Sequence, residues 1–181
     1  MSTTQLMTIE EFAEISEPGR YDLIRGELIC MSPASTRHGI IGSRFNTALV
    51  MFVTPQQLGE IPTSDTGYVL NDDPPVVVCP DVSFIRADRV PSDERLDEFF
   101  HGPPDIAVEV VSPSDRMADV NAKVDEYVLA GTPLVWVVEP RRRAVTVYRP
   151  DGSTHVLREV DALDGGDVLP GFSLPLADIF R

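Results

Sequence analysis

Runs of apolar residues, their spacing and their interruptions divide this chain into elements. Thr8-Ile9-Glu10-Glu11 has the capping-box pattern, with Thr8 as N-cap and Glu11 three residues on. It predicts a short helix through Phe12 and Ile15 that stops near Pro18-Gly19. "YDLI" and "ELICM" read as two short strands around an Arg25-Gly26 turn. Ile41, Phe45, Ala48, Leu49, Phe52 and Val53 recur at helical spacing and predict a helix from about Ser35 to Val53.

"TGYVL" and "VVVCPDVSFIRA" follow as strands, with "NDDPP" as the turn between them. Pro80 inside the second implies an edge position, a bulge or a strand start. "PSDERLDEFF" predicts a short acidic helix, and "PDIAVEVV" a buried strand broken off at Ser112-Pro113-Ser114. Asp115 then caps a helix over "RMADVNAKVDEYVLAG", stopped by Gly131 and Pro133. "LVWVVEP" and "AVTVYRP" are strands joined around Arg141, Arg142 and Arg143, and "STHVLRE" is a third after the Pro150-Asp151-Gly152 turn. The tail "LPGFSLPLADIF" has apolar anchors without a clear period. The sum is an α/β or α+β chain, most economically α/β with a central sheet flanked by helices, in a single domain over residues 1–181.

Composition changes this picture little, and charge changes it more. With 43% apolar residues the chain can bury a sizeable core, and no run nears the roughly 18–20 apolar residues of a membrane span. The N-terminal segment lacks a basic stretch followed by an apolar one, so no secretory signal is expected and a cytoplasmic setting is. Cys30 and Cys79 stand apart in strand-like segments and are expected as reduced core thiols. The formal net charge of −14 argues against broad attraction to nucleic acid or anionic membrane. Any nucleic-acid chemistry must then rest on local groups.

Three polar residues interrupt the apolar pattern. Glu109 lies in the Val-rich strand, where a buried carboxylate is costly unless paired, hydrogen-bonded or bound to a metal. Asp81 precedes Val82, Phe84 and Ile85, and alternation sets it on the face of Ser83 and Ile85. If the two strands are neighbours their carboxylates converge, and a hard cation such as Mg²⁺ or Mn²⁺ would relieve the repulsion. Lys123 falls at the edge of the apolar face of the following helix, about 40° from Tyr127 at the helical period. From there its ammonium can reach a pocket. Asp81, Glu109 and Lys123 could thus form a metal-and-lysine site for water attack on a phosphodiester.

"PDVSF", "PDIAVEVVSPSD" and "AKVDEYVLAGTPLVWVVEP" resemble the PD-(D/E)xK nuclease superfamily. The nearer resemblance is to the Uma-two family, small bacterial proteins called restriction endonucleases. "MTIEEFAEI", "YDLIRGELICMSPAS" with His38, "VTVYRPDG" and "LPGFSLPLADIF" follow in matching order from about Met7 to Phe180. The resemblance implies a restriction-endonuclease-like core, a mixed sheet between helices with extra antiparallel hairpins. It also implies a metal-dependent nuclease, with DNA the expected substrate, Mg²⁺ the expected ion and Mn²⁺ its substitute. Asp81 and Glu109 would be the metal ligands. The superfamily places its lysine two residues after the second acid, where this chain has Val111; the resemblance assigns that role to Lys123 instead. Glu27 matches a further acid, which would bind a second metal through water or hold Lys123 by an ion pair.

Plainer readings stand beside these. Glu109 could pair with an arginine, Asp81 could be a turn acid after Pro80, and Lys123 could run to solvent. Glu27 follows a turn, where exposed acids are common, and His38 near a helix start could face solvent or phosphate. Ser112 and Ser114 lack the GxSxG elbow of a serine hydrolase. Arg141 to Arg143 read as a solvated hairpin tip or a phosphate contact. The rival functions are a non-catalytic interaction protein that keeps the fold, and a metal-dependent hydrolase of small phosphoesters. Apolar strands around Trp136, together with the tail, offer more surface than one layer covers, which leads us to expect a two-fold homodimer.

Overall fold

A computed structural model describes residues 6–15, 20–31 and 33–181. The first helix, α1 (Ile9–Ala13), carries the capping box: Thr8 Oγ1 accepts from the Glu11 amide, and the Glu11 carboxylate accepts from the Thr8 amide. It ends at Ala13; the stop expected at Pro18-Gly19 lies outside the described residues. Strands β1 (Arg20–Ile24) and β2 (Glu27–Met31) form an antiparallel hairpin. Its turn needs positive φ at both central residues, and Arg25 and Gly26 adopt it at 53° and 82°. The long helix α2 (Thr36–Gln56) starts at Ser35, whose side chain accepts from the His38 amide, and buries Ile41, Phe45, Leu49 and Val53.

The apolar run from Val76 to Ala87 is not one strand. It divides into β5 (Pro75–Val78) and β6 (Val82–Arg86), which belong to different sheets. Pro80 lacks a ladder N–H, and Cys79-Pro80-Asp81 carries the chain across. One sheet runs β2-β1-β5-β4-β7, with β4 at Tyr68–Asp72 and β7 at Phe100–His101. The other contains β3 (Gly59–Glu60), β6, β8 (Ile106–Val110), β9 (Leu134–Glu139), β10 (Ala144–Tyr148) and β11 (Thr154–Arg158), in the order β11-β10-β9-β8-β6-β3. Strands β8 and β9 run parallel and β6 and β8 antiparallel, so this sheet is mixed, as the α/β reading expected.

Alternation along β8 assigns its two faces. Ile106, Val108 and Val110 join the core built with α2, Trp136 and the C-terminal tail. Ala107 faces a second core shared with the five-stranded sheet and helix α3 (Met117–Leu129), where Val124 and Tyr127 are buried. The tail forms a bulged hairpin, β12 (Ala162–Gly165) with β13 (Leu169–Pro175), and a last turn, α4 (Leu176–Phe180). Its anchors cover Trp136, which stacks on Phe172 at 6.0 Å and is wholly buried. The apolar surface that suggested a dimer is therefore consumed inside the chain.

Other expectations also change. "PSDERLDEFF" is not a helix but a 3₁₀ turn at Asp93–Arg95 leading into β7, because Leu96 has no layer to face and stays exposed. Asp115 does not cap α3. Its carboxylate accepts from the Ser112 amide, closing the loop, and Arg116 is the N-cap residue without a side-chain bond. Cys30 is an exposed thiol rather than a core one, since β2 is an edge strand whose residues are almost all open to solvent.

Candidate active site

The register of β6 on β8 pairs Val82 with Val108 and Ser83 with Ala107. Carried one residue further, it sets Asp81 opposite Glu109, and two hydrogen bonds fix that pairing. The Asp81 amide donates to Val108 O at 3.0 Å, and the Val110 amide donates to Asp81 Oδ2 at 2.8 Å. Both carboxylates thus reach the gap between the two sheets, as the sequence led us to expect.

Lys123 enters the same gap from α3. Its ammonium stands 2.9 Å from Glu109 Oε1 and 2.9 Å from Asp22 Oδ2, and donates to Cys79 O at 3.2 Å. Tyr127, one helical turn on, donates to Glu109 Oε1 at 2.8 Å. Asp22 lies on β1, and its other oxygen accepts from the Cys79 amide at 2.8 Å. The lysine therefore joins an acid from each sheet, in a place where Asp22, Glu109 and Lys123 are each less than a tenth exposed.

An arginine and a histidine hold Asp81. Arg20 Nη2 donates to Asp81 Oδ1 at 3.1 Å, and His38 Nε2 lies 3.0 Å from Oδ2. Arg20 stands two residues before Asp22 on the same face of β1, and His38 is in the first turn of α2. Neither Asp22 nor Arg20 was singled out in the sequence, and His38 was read as ordinary. The signal for Asp22 was present: like Glu109, it lies between apolar residues in a strand, Tyr21 and Leu23.

Glu27 lines the same cleft, at the start of β2, and is exposed. The carboxylate partners of Lys123 are Asp22 and Glu109, so the ion pair expected of Glu27 is made by Asp22. The cleft has a volume of about 340 Å³. Several arginines outside the cleft are engaged elsewhere. Arg44 holds the carbonyls of Ile179 and Arg181, Arg142 pairs with Glu139, and Arg143 pairs with Glu159. Arg20, Arg116 and Lys123 are the lysine and arginines that line the cleft among the described residues.

Charge in the site follows from burial and pairing. Burial pushes Glu109 up to about 7, against the pull of Lys123. Burial opposes the charge on Lys123, but Asp22 and Glu109 more than offset it and hold the ammonium above its ordinary range. Asp81 is buried as well, yet the hydrogen bond and charge of His38 bring it below the usual carboxylate range. The bond to Asp81 in turn raises His38.

The donor set bears on whether a divalent ion fits. Oε1 of Glu109 takes the bonds from Lys123 and Tyr127, which leaves Oε2 without a partner among the described residues, in a side chain lining the cleft. An acid whose ionisation burial disfavours gains most from a nearby cation. Among the described residues no three His, Cys, Asp or Glu side chains are already gathered as a ligand set. Mg²⁺ is commonly held by one or two carboxylates, with water and substrate phosphate filling the rest. Asp81 and Glu109 supply two such carboxylates: Glu109 through its open Oε2, and Asp81 only as a ligand that also keeps its bonds to Arg20, His38 and the Val110 amide.

The sequence model of the Uma2 family, described as "Putative restriction endonuclease", matches residues 9–177. The chain belongs to the Uma2 family. Among solved structures, a chain described as "a putative nuclease belonging to DUF820 from Anabaena variabilis ATCC 29413" superposes with a TM-score of 0.87 at 24% identity, covering 96% of this chain and 97% of that one. At that identity the likeness carries the fold, which is the restriction-endonuclease-like core expected from the Uma2 motifs. A search of curated proteins finds no match. Among the described residues no helix is long and apolar enough to cross a membrane.

Proposed function

We propose that this Uma2 chain is a divalent-metal-dependent nuclease that hydrolyses phosphodiester bonds, with DNA as its principal substrate and Mg²⁺, or Mn²⁺ in its place, as its ion. The observation that supports this best is the pairing of Asp81 with Glu109 on adjacent strands, beside a buried lysine, at the floor of a cleft. The metal, held by Asp81 and Glu109, would polarise the phosphoryl group and supply hydroxide at neutral pH. Lys123, whose three donors are taken by Asp22, Glu109 and Cys79, would act through its charge, offsetting the negative charge that grows on the phosphoryl oxygens. Tyr127 and Asp22 hold Glu109 and Lys123 in place, and Glu27 would accept from water at the rim.

The reading includes a cytoplasmic setting and a two-fold homodimer. The ground for a dimer is β2, an edge strand with Leu28 exposed and, among the described residues, no neighbour on its outer side. Light scattering that gives a monomer mass at micromolar concentration removes that part.

One observation favours the rival, an interaction protein that keeps the fold. Lys123 already neutralises Asp22 and Glu109, as a purely structural ion-pair network would. Incubation of wild type and Glu109→Gln with single- and double-stranded DNA and RNA, with and without Mn²⁺, separates the two. The nuclease reading expects metal-dependent cleavage by wild type alone. Absence of cleavage by wild type on every substrate, or equal cleavage by both proteins, defeats it.

A further inference from the structure

The lining of the cleft is divided. Its buried polar residues are Asp22, Asp81, Glu109 and Lys123, its exposed acids are Glu27, Asp115 and Asp119, and Ile24, Ile29, Met31, Val111 and Val120 add an aliphatic lining. Of these, Ile29 is 38% exposed, on an edge strand with no covering layer. A groove that only tracked phosphates would be lined chiefly by lysine and arginine; here Arg20, Arg116 and Lys123 are outnumbered by aliphatic and acidic side chains.

We propose that the cleft seats one unpaired nucleotide, its phosphate toward Arg20 and Arg116 and its base against the aliphatic lining. The inference rests on the nuclease reading and names its substrate class: single-stranded nucleic acid, DNA or RNA. Three properties of the site converge on it.

The first is depth. Asp22, Asp81, Glu109 and Lys123 are each 4–9% exposed, so a scissile phosphate must descend to meet them. Duplex DNA is a stiff rod, with a persistence length of about 50 nm, and carries its phosphates on a convex surface. A single strand bends at every residue and can lower one nucleotide into the cleft. The cleft volume of about 340 Å³ lies at the small-ligand end of the range for binding pockets, about 300–1,000 Å³.

The second is chemistry. Every base has an apolar face, and proteins that hold single strands without reading sequence stack such faces on aromatic side chains beside a positive groove. Here the surface open to a base is aliphatic, since no Phe, Tyr or Trp lines the cleft among the described residues, so a base would gain by apolar burial and not by ring stacking. Arg20 makes its hydrogen bonds to Ser64 O and Asp81 through Nη2, which leaves Nη1 for an incoming oxygen. Arg116, exposed at the start of α3, faces the same space.

The third is charge. A net −14 disfavours a long polyanion, and in the cleft itself Asp22, Glu27, Asp81, Glu109, Asp115 and Asp119 outnumber Arg20, Arg116 and Lys123, so contact should be confined to the very few phosphates those three cations can meet. One or two nucleotides satisfy that; a long duplex footprint does not.

The test is binding of fluorescein-labelled short oligonucleotides by anisotropy in EDTA, with cleavage in Mn²⁺ followed in parallel. The probes are single-stranded DNA, single-stranded RNA, a DNA duplex of the same sequence, and an abasic deoxyribose-phosphate strand. We expect one or both natural single strands to bind on the order of tenfold tighter than the duplex and the abasic strand, the effect of removing roughly 50 Å² of apolar surface from water. Ile29→Ser should lose a similar factor, while Leu28→Ser, outside the cleft on the same strand, should not. A preference between DNA and RNA tells which sugar is accepted, and either preference supports the seat. Equal binding of the abasic and natural strands, or binding and cleavage of the duplex with no preference for single strands, overturns the inference and leaves the nuclease reading standing. If no strand is bound or cut, both fall.

Discussion

Lys123 Nζ stands 2.9 Å from Glu109 Oε1 and the same distance from Asp22 Oδ2, so one ammonium links an acid of the six-stranded sheet to an acid of the five-stranded one. Breaking a buried pair from one side leaves the other charge without compensation, typically at a cost of about 3–5 kcal/mol. Lys123→Met should destabilise the metal-free protein by about that amount in urea denaturation. Mn²⁺ should restore a larger share in this variant than it adds to wild type, because it supplies the missing positive charge. A Lys123→Met protein as stable as wild type in EDTA would show that the acids are not held by the lysine.

Proton release on metal uptake should report Glu109. Its folded value of about 7 lies above the ordinary 4.5, so the native protein binds the extra proton between those limits. That contribution to stability is full below about pH 4.5 and is lost as pH rises through 7, since the unfolded chain gives up its proton first. A metal bound to the carboxylate must displace that proton. Titration calorimetry in buffers of different ionisation enthalpy should show proton release on Mn²⁺ binding at about pH 6, little at about pH 8.5, and none from this site in Glu109→Gln.

The His38–Asp81 pair has a pH profile of its own. His38 is raised above 6.5, so its contribution is complete below that value and is lost as pH rises through its higher folded value. Asp81 is lowered below 3.8, so its contribution is complete above 3.8 and fades as pH falls through its folded value. The pair is therefore strongest between about 4 and 6.5. His38→Gln should cost about 1.5–3 kcal/mol near pH 5.5, the range for a hydrogen bond to a charged group, and clearly less near pH 9. Urea melts at the two pH values decide it; an equal loss at both would mean that His38 acts only by packing.

Salt dependence should be shallow. With Arg44, Arg142 and Arg143 bound to other groups, two or three cations remain to meet phosphate in the cleft. For a single strand each contributes about 0.7 to the slope of log K against log salt, giving about −1.4 to −2.1. A slope beyond about −4 would mean a second basic surface, since it requires roughly six phosphate contacts.

Much of this site could be read from residue order. Asp81 and Glu109 are legible because each breaks a run that would otherwise be fully apolar, and alternation assigns them a face. Lys123 is legible because the helical period puts it at the margin of a buried stripe. Asp22 shows the same interruption, but in a strand of five residues next to a turn, one acid between two apolar residues also describes an exposed face. Only the packing of β1 against α3 turns that face inward.

The division of the run from Val76 to Ala87 was not legible for a related reason. Strands buried on both faces have no alternation, and nothing in a continuous apolar run records that its halves join different sheets. Pro80 announced an irregularity without saying which kind. The acidic segment after Pro91 failed as a helix because a helical period needs a surface to bury against, and Leu96 meets none. The tail concealed a hairpin, as its bulge between Asp164 and Gly165 shifts the period by a residue.

The short crossing at Cys79-Pro80-Asp81 ties the two walls of the cleft together at its base. Cys79 gives its amide to Asp22 and its carbonyl to Lys123, while Asp81, two residues later, is already locked to β8. The crossing thus works as a clasp: three consecutive residues set the distance between the walls where the acids meet, so the alignment of the floor is fixed by backbone atoms and does not depend on the exposed rim at β2.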